Sequence, residues 1–259
     1  MNSLDKYTLI TGGTEGIGLE LAKLFAEDKH NLIIVARDRE QLKNVKKKIE
    51  EEFNVKVEII SADLSVDNSC EKIYEFVDKK NLTVDNLINN AGVGCFGYFS
   101  ELDPREQEKL IKINVLALAD LTHYFLNKMI ENKEGGILNV ASTAAFSAGP
   151  KMSTYYASKA FVLSLTEALY EEVKGYGIRV SCLCPGAVRT GFQKKAKIVK
   201  NAKAEALLMK PEDVAKNAYR GYKKGNVIII PGFKNKFLVW ANKFIPRALS
   251  RKIVLYTNK

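Results

Sequence analysis

Tyr7-Thr-Leu-Ile-Thr-Gly-Gly-Thr-Glu-Gly-Ile-Gly18 decides the fold of this chain. A short apolar run, Tyr7–Ile10, enters a turn with the pattern T-G-x-x-x-G-x-G. An apolar helical pattern follows, with Ile17, Leu21, Leu24 and Phe25 on one face. Strand, glycine turn and helix in that order bring free backbone amides to a helix N-terminus, where the dipole favours an anion. Glycines let the chain turn tightly and lie close to a bound pyrophosphate.

Outward from this unit, strand and helix patterns alternate. Strands are expected at Asn31–Ala36, Val55–Ser61, Asn86–Asn89, Gly136–Ala141, Ile178–Cys184 and Val227–Ile230. Helices are expected at Arg39–Glu52, Cys70–Lys79, Pro104–Asn132, Ser153–Lys174 and Pro211–Lys224. Such alternation predicts an α/β fold: a doubly wound, seven-stranded parallel sheet with helices on both faces. Ligands of such sheets bind at the carboxyl ends of the strands.

Tyr155 and Lys159 lie four residues apart in an expected helix, so they share a face. A lysine ammonium beside a phenol stabilises the phenolate and makes it an acid/base group. Ser142 precedes the pair by thirteen residues and follows an expected strand.

Thr11–Gly18, Asp63, Asn89-Asn-Ala-Gly92, Asn114, Ser142, Tyr155 with Lys159, and Pro185-Gly186 with Thr190 come in the order of one family. Over roughly its first 190 residues the chain resembles the short-chain dehydrogenases/reductases. The resemblance implies one Rossmann-type oxidoreductase domain over residues 1–259, acting on ketones or alcohols with a nicotinamide cofactor. It implies Tyr155 as general acid and base, Lys159 depressing its pKa, Ser142 polarising the substrate carbonyl, and Asn114 holding a water for proton resupply. It implies a cofactor site built from Gly12, Thr14, Gly16, Ile17, Gly18, Arg37, Asp63, Leu64, Asn90, Ala91, Gly92, Tyr155, Lys159, Pro185, Gly186, Val188 and Thr190. Asp63 equally reads as a cap for the following helix. A homodimer or homotetramer is implied, with Pro104–Asn132 and Ser153–Lys174 at the interface.

The second strand ends at Ala36-Arg37, where an acidic residue would select NAD. A guanidinium pairs with a phosphate, so Arg37 favours NADP over NAD. Glu15, inside the turn, departs from the basic or neutral residue common in NADP-binding relatives.

Hydrophobic residues make up 46% and charged residues 27% of the chain, as in ordinary soluble proteins. No apolar run reaches membrane-spanning length and no signal-peptide core opens the chain, so a cytoplasmic location is expected. Four cysteines and two histidines lack disulfide or metal spacing, so no metal is expected. The net charge of +10 is uneven: Gly191–Lys259 holds 17 Lys/Arg against 3 Asp/Glu. No nucleic-acid motif accompanies it, and nucleic acid is not expected as a partner. Residues 191–210 read as a substrate lid, by resemblance.

Residues 232–259 read as a basic amphipathic tail, with Phe237, Trp240, Ala241 and Phe244 at helical spacing before Pro246. Such a tail suits peripheral contact with an anionic membrane. It equally suits packing on the domain, closing the pocket or joining subunits.

Cys95, Phe96, Phe146, Met152 and Phe192 are candidates for an apolar pocket wall. The leading expectation is an NADP-dependent oxidoreductase of hydrophobic ketones and secondary alcohols. A 3-oxoacyl-thioester reductase, on carrier protein or coenzyme A, and a catalytically silent NADP-sensing scaffold are the alternatives.

Overall fold

A computed structural model describes residues 6–196 and 208–258. Seven strands form one parallel sheet: β1 (Lys6–Thr11), β2 (Asn31–Ala36), β3 (Val57–Ser61), β4 (Thr83–Asn89), β5 (Gly135–Val140), β6 (Ile178–Leu183) and β7 (Ile228–Ile229). Their order is β3-β2-β1-β4-β5-β6-β7. The sequence winds outward from the centre in both directions, so a crevice opens between the carboxyl ends of β1 and β4.

Both faces of the sheet are buried, which is why its strands carry continuous apolar runs such as Leu32–Ala36 in β2. Consecutive residues still point to opposite faces. Ile10, Ile34, Ile88 and Leu138 join one cluster with Leu21, Phe25 and Tyr222. Their neighbours Leu9, Ile33, Leu87 and Ile137 join another with Leu121 and Phe125. The first cluster lies under α1 (Gly16–Glu27), α2 (Arg39–Phe53) and α8 (Pro211–Lys223). The second lies under α3 (Ser69–Lys79) and α5 (Leu118–Asn132). A third packs α6 (Ser153–Val173) on β6 through Val162, Leu163, Cys182 and Cys184. The two thiols are buried and 3.7 Å apart, in hydrogen-bond contact and not joined as a disulfide.

The helix expected at Pro104–Asn132 is interrupted. It consists of α4 (Pro104–Ile111), a π-helical turn at Lys112–Ala117, and α5. One extra residue in that turn re-aims side chains, a feature frequent at functional sites. β3 starts two residues later than expected, and β4 three residues earlier.

After a short α7 (Phe192–Lys195), two further helices end the chain: α9 (Phe233–Asn242) and α10 (Arg247–Thr257), separated at Pro246. The lid expected at 191–210 falls largely on residues 197–207, outside the described residues. Its base is pinned, since Arg189 N–H donates to Met209 O and Met209 N–H donates to Ala187 O. Among the described residues no helix is long and apolar enough to cross a membrane.

Candidate active site

One cleft of about 1180 Å³ opens at the carboxyl end of the sheet. That volume exceeds the usual range for a single small ligand, about 300–1,000 Å³, and leaves room for a dinucleotide with a substrate beside it. Its floor is the turn Gly12–Ile17 and its far wall is α6.

The turn is built by close approach. Gly16 has φ +57°, and a Cβ there would stand 2.8 Å from Thr190 Cγ2. Thr11 Oγ1 accepts from the amides of Asn90 and Ala91, and the Asn90 side chain donates to Thr11 O (3.0 Å) and Gly12 O (2.9 Å). The β4 end therefore clamps the β1 end. Gly12, Thr14, Gly16, Ile17, Arg37, Asp63, Leu64, Asn90, Ala91, Gly92, Pro185, Gly186, Val188 and Thr190 all line the cleft.

Gly18, expected among the cofactor contacts, does not line it. A Cβ on Gly18 would run into Gly12 O and the Asn90 side chain. Its glycine serves the packing of helix under turn. The Asn90 amide is spent on that clamp too, although Asn90 borders the cleft.

At the opposite end from the catalytic candidates, Arg37 Nη1 lies 4.0 Å from Asp63 Oδ2. The Arg37 side chain is 51% exposed, so its guanidinium remains accessible to an incoming anion. Burial would raise the Asp63 pKa, but hydrogen bonds from the Ser65 hydroxyl and amide, with the Arg37 charge, hold it below the ordinary carboxyl value. Glu15 lines the same cleft, and a Cβ on Gly191 would stand 3.1 Å from its Oε2.

Ser142, Tyr155 and Lys159 line the other end of the cleft. The Ser142 hydroxyl accepts from Ala144 N–H (3.1 Å) and caps a short 3-10 turn, Thr143–Phe146. Lys159 Nζ donates to Val140 O at 2.8 Å and sits 5.8 Å from the Tyr155 ring centroid. Phe192 covers Tyr155, with ring centroids 5.3 Å apart.

Asn114 is buried behind this wall rather than on it, carried by the π-helical turn. Its amide exchanges hydrogen bonds with both backbone groups of Val93 at 2.9 Å, and also donates to Ser158 Oγ at 3.1 Å. Gly92 leaves space for this: a Cβ there would stand 3.4 Å from both Asn114 Oδ1 and Lys159 Nζ.

The expectation that Lys159 depresses the Tyr155 pKa is not met. Burial dominates and pushes the phenol up to about 12, while hydrogen bonding with Ser142 pulls it back. Burial also lowers Lys159 to about 8. The phenol therefore holds its proton through the neutral range and is a donor at rest.

This buried lysine has a consequence for stability. Its pKa falls from 10.5 unfolded to about 8 folded, so between those values the unfolded chain binds more protons. The group opposes folding fully below pH 8, and the penalty fades as pH rises toward 10.5. The shift corresponds to about 3 kcal/mol, from which about 1 is subtracted for the bond to Val140 O. Lys159→Met is expected to raise the melting temperature at neutral pH by about 5 °C while abolishing turnover. The gap to wild type should close toward pH 10.5. Thermal scans across pH check this, and an unchanged or lower melting temperature at pH 7 would contradict it.

Of the apolar wall candidates, Phe96, Met152 and Phe192 line the cleft. Cys95 and Phe146 do not. Cys95 Sγ points to Glu106 O, and Phe146 packs against the third core cluster. Tyr156, Gln193, Thr257 and Asn258 line it without having been expected. The last two come from the end of α10, where Asn258 Nδ2 donates to Pro150 O at 3.0 Å. Among the described residues no three His, Cys, Asp or Glu side chains converge as a metal site.

The sheet, its switch point and the cradle define a class, the doubly wound α/β proteins that bind dinucleotides. Comparison with known proteins narrows it. A family model described as short chain dehydrogenase matches residues 6–200. The chain is 35% identical over 195 residues to the very-long-chain 3-oxoacyl-CoA reductase of Rattus norvegicus, which covers 74% of this chain and 62% of that protein. It thus spans less than two thirds of that relative's length.

Among solved structures, a short-chain dehydrogenase from Sphingobium yanoikuyae in complex with NADPH superposes with a TM-score of 0.83 at 29% identity, over 94% of this chain and 97% of that one. A short chain dehydrogenase/reductase from Burkholderia phymatum in complex with NAD gives 0.80 at 25% identity, over 93% and 94%. The chain belongs to the short chain dehydrogenase family.

Proposed function

We propose that this protein is an NADPH-dependent reductase of hydrophobic ketones, working in reverse on the matching secondary alcohols. The observation that carries this reading is the convergence of Ser142, Tyr155 and Lys159 on the wall of a cleft floored by the Gly12–Ile17 turn. The turn runs into the α1 N-terminus, where a pyrophosphate would sit, and the closeness of Gly16 to Thr190 keeps side-chain bulk out of that space. Asp63 and Leu64 would border the adenine, Asn90–Gly92 the ribose, and Pro185, Gly186, Val188 and Thr190 the carboxamide. A bound nicotinamide supplies hydride to the carbonyl carbon.

The chain's own residues do the rest. The Tyr155 hydroxyl gives its proton to the carbonyl oxygen as negative charge develops there. The Ser142 hydroxyl, fixed by its cap on Ala144, donates to the same oxygen and polarises it. Lys159 places a cation behind the phenol, where it stabilises the phenolate left after transfer. Asn114 and the Val93 backbone anchor the neighbouring wall, where a water would be held for proton resupply.

Phe96, Met152 and Phe192 make the substrate end apolar, which suits a bulky or long-chain ketone. The named relative favours one subclass, the 3-oxoacyl thioesters, which are ketones on an acyl chain. The basic residues from Gly191 onward would attract coenzyme A phosphates or an acidic carrier. A silent sensor has no need of the full set Asn114, Ser142, Tyr155 and Lys159.

Cofactor choice rests on Arg37. Rates on one hydrophobic ketone should be higher with NADPH than with equal NADH. Arg37→Ala should lower kcat/KM for NADPH by about tenfold to a hundredfold, the worth of a charge-assisted bond to phosphate, and leave NADH nearly unchanged. Equal wild-type rates with both cofactors, or a parallel loss with both in the variant, would contradict the assignment.

A further inference from the structure

The end of the chain carries a pattern that hydride chemistry does not use. From Val214 to Lys259 there are eleven Lys/Arg and no Asp or Glu. Within this stretch α9 is fixed by one side only. Val239 is buried, Asn235 Nδ2 donates to Pro231 O (2.8 Å), and Asn242 Nδ2 donates to Phe146 O (2.8 Å).

The opposite side presents Phe233, Phe237, Trp240 and Phe244 at steps of four, three and four residues, one helical stripe. They are 83%, 54%, 56% and 70% exposed, and Trp240 lies 6.0 Å from Phe237 and 5.0 Å from Phe244 between ring centroids. Lys234, Lys236 and Lys243 flank the stripe. α10 repeats the design with Leu249, Ile253 and Tyr256 exposed, Arg251 and Lys252 alongside, and Ser250 turned inward to donate to Asn242 Oδ1.

An apolar surface of this extent marks a docking site. Charge selects the occupant. A second copy seated here would bring two all-cationic rims together, at a cost. It has another face available, where Ile111, Leu116 and Phe161 are exposed on the long helices. An aromatic stripe edged only by cations matches an anionic bilayer, with rings at headgroup depth and lysines on the phosphates.

We propose that α9 and α10 form a peripheral docking surface for an anionic phospholipid bilayer. Thr257 and Asn258, at the end of α10, also wall the cleft, so the docked face and the cleft share one helix. On the functional reading above, this brings the substrate end of the cleft beside the lipid.

Trp240 is the only tryptophan in the chain and sits in the stripe, so its emission reports docking directly. The full-length protein is mixed with vesicles of phosphatidylcholine alone, or of phosphatidylcholine containing phosphatidylglycerol, without cofactor or substrate. Emission and co-sedimentation are then measured. The expected result is a blue shift and about tenfold stronger binding to the anionic vesicles, weakened by high salt. Phe237→Ser with Phe244→Ser should remove binding and keep turnover of a water-soluble ketone.

Absence of binding, or equal binding to neutral vesicles, would overturn the proposal. So would a concentration-dependent blue shift without vesicles that accompanies dimerisation and is lost in the double variant, because a second copy would then own the face. Binding is read without catalysis, so its failure and that of the reductase reading are distinguishable.

Discussion

Tyr155→Phe should lower kcat by about a thousandfold, the middle of the range for losing a general acid, and leave NADPH affinity within about twofold of wild type. The substitution removes one oxygen. The ring stays packed against Phe192, and the cradle at Gly12–Ile17 is untouched. With the proton donor gone, the developing alkoxide has only the Ser142 hydroxyl. KM should change little and kcat/KM should fall with kcat, because the lost interaction belongs to the transition state.

The direction of the Tyr155 shift adds a pH signature. With the phenol raised to about 12, reduction, which needs the protonated form, should hold into the alkaline range. Alcohol oxidation, which needs the phenolate, should rise with pH over the same interval. Steady-state rates with a fluorescence titration of NADPH check both parts, and near-normal turnover in the variant would remove Tyr155 from its role.

Gly18→Ala should weaken NADPH binding by at least about tenfold and destabilise the fold by about 1–3 kcal/mol, the usual cost of overpacking a tight site. An added methyl would collide with Gly12 O and with the Asn90 amide that clamps the turn. Neither neighbour yields freely, because Asn90 also bonds Thr11 O. The helix start must retreat or the turn must open, and either change spoils the amide cradle. Denaturant melts and NADPH titration report the two effects separately. Wild-type values in both would show that the close approach is unimportant.

The sheet was legible because burial on both faces leaves short apolar runs, and their alternation with helical patterns selects a parallel α/β fold. The candidate catalytic positions were legible mainly through the family resemblance, because a four-residue helical spacing such as that of Tyr155 and Lys159 is common and becomes specific only beside Ser142, Asn114 and the glycine turn. Other features depend on geometry that no local pattern encodes. The glycine spacing reads the same whether Gly18 faces a ligand or packs beneath the turn. The apolar periodicity of Pro104–Asn132 runs straight through the π-helical turn that turns Asn114 toward Val93. Thr257 and Asn258 reach the cleft from the far end of the chain, where nothing in their own neighbourhood points to it. The balance between Lys159 and burial at Tyr155 is a contest of distance against desolvation, and spacing fixes neither.

On the proposed function, this cleft passes a proton from Tyr155 to a ketone reduced by NADPH. Following NADPH absorbance while the wild-type protein meets a panel of bulky ketones and 3-oxoacyl thioesters tests it most directly. NADPH consumption is expected with at least one long or bulky member, matched by formation of the secondary alcohol. NADPH that binds tightly and is consumed by none of them would contradict it.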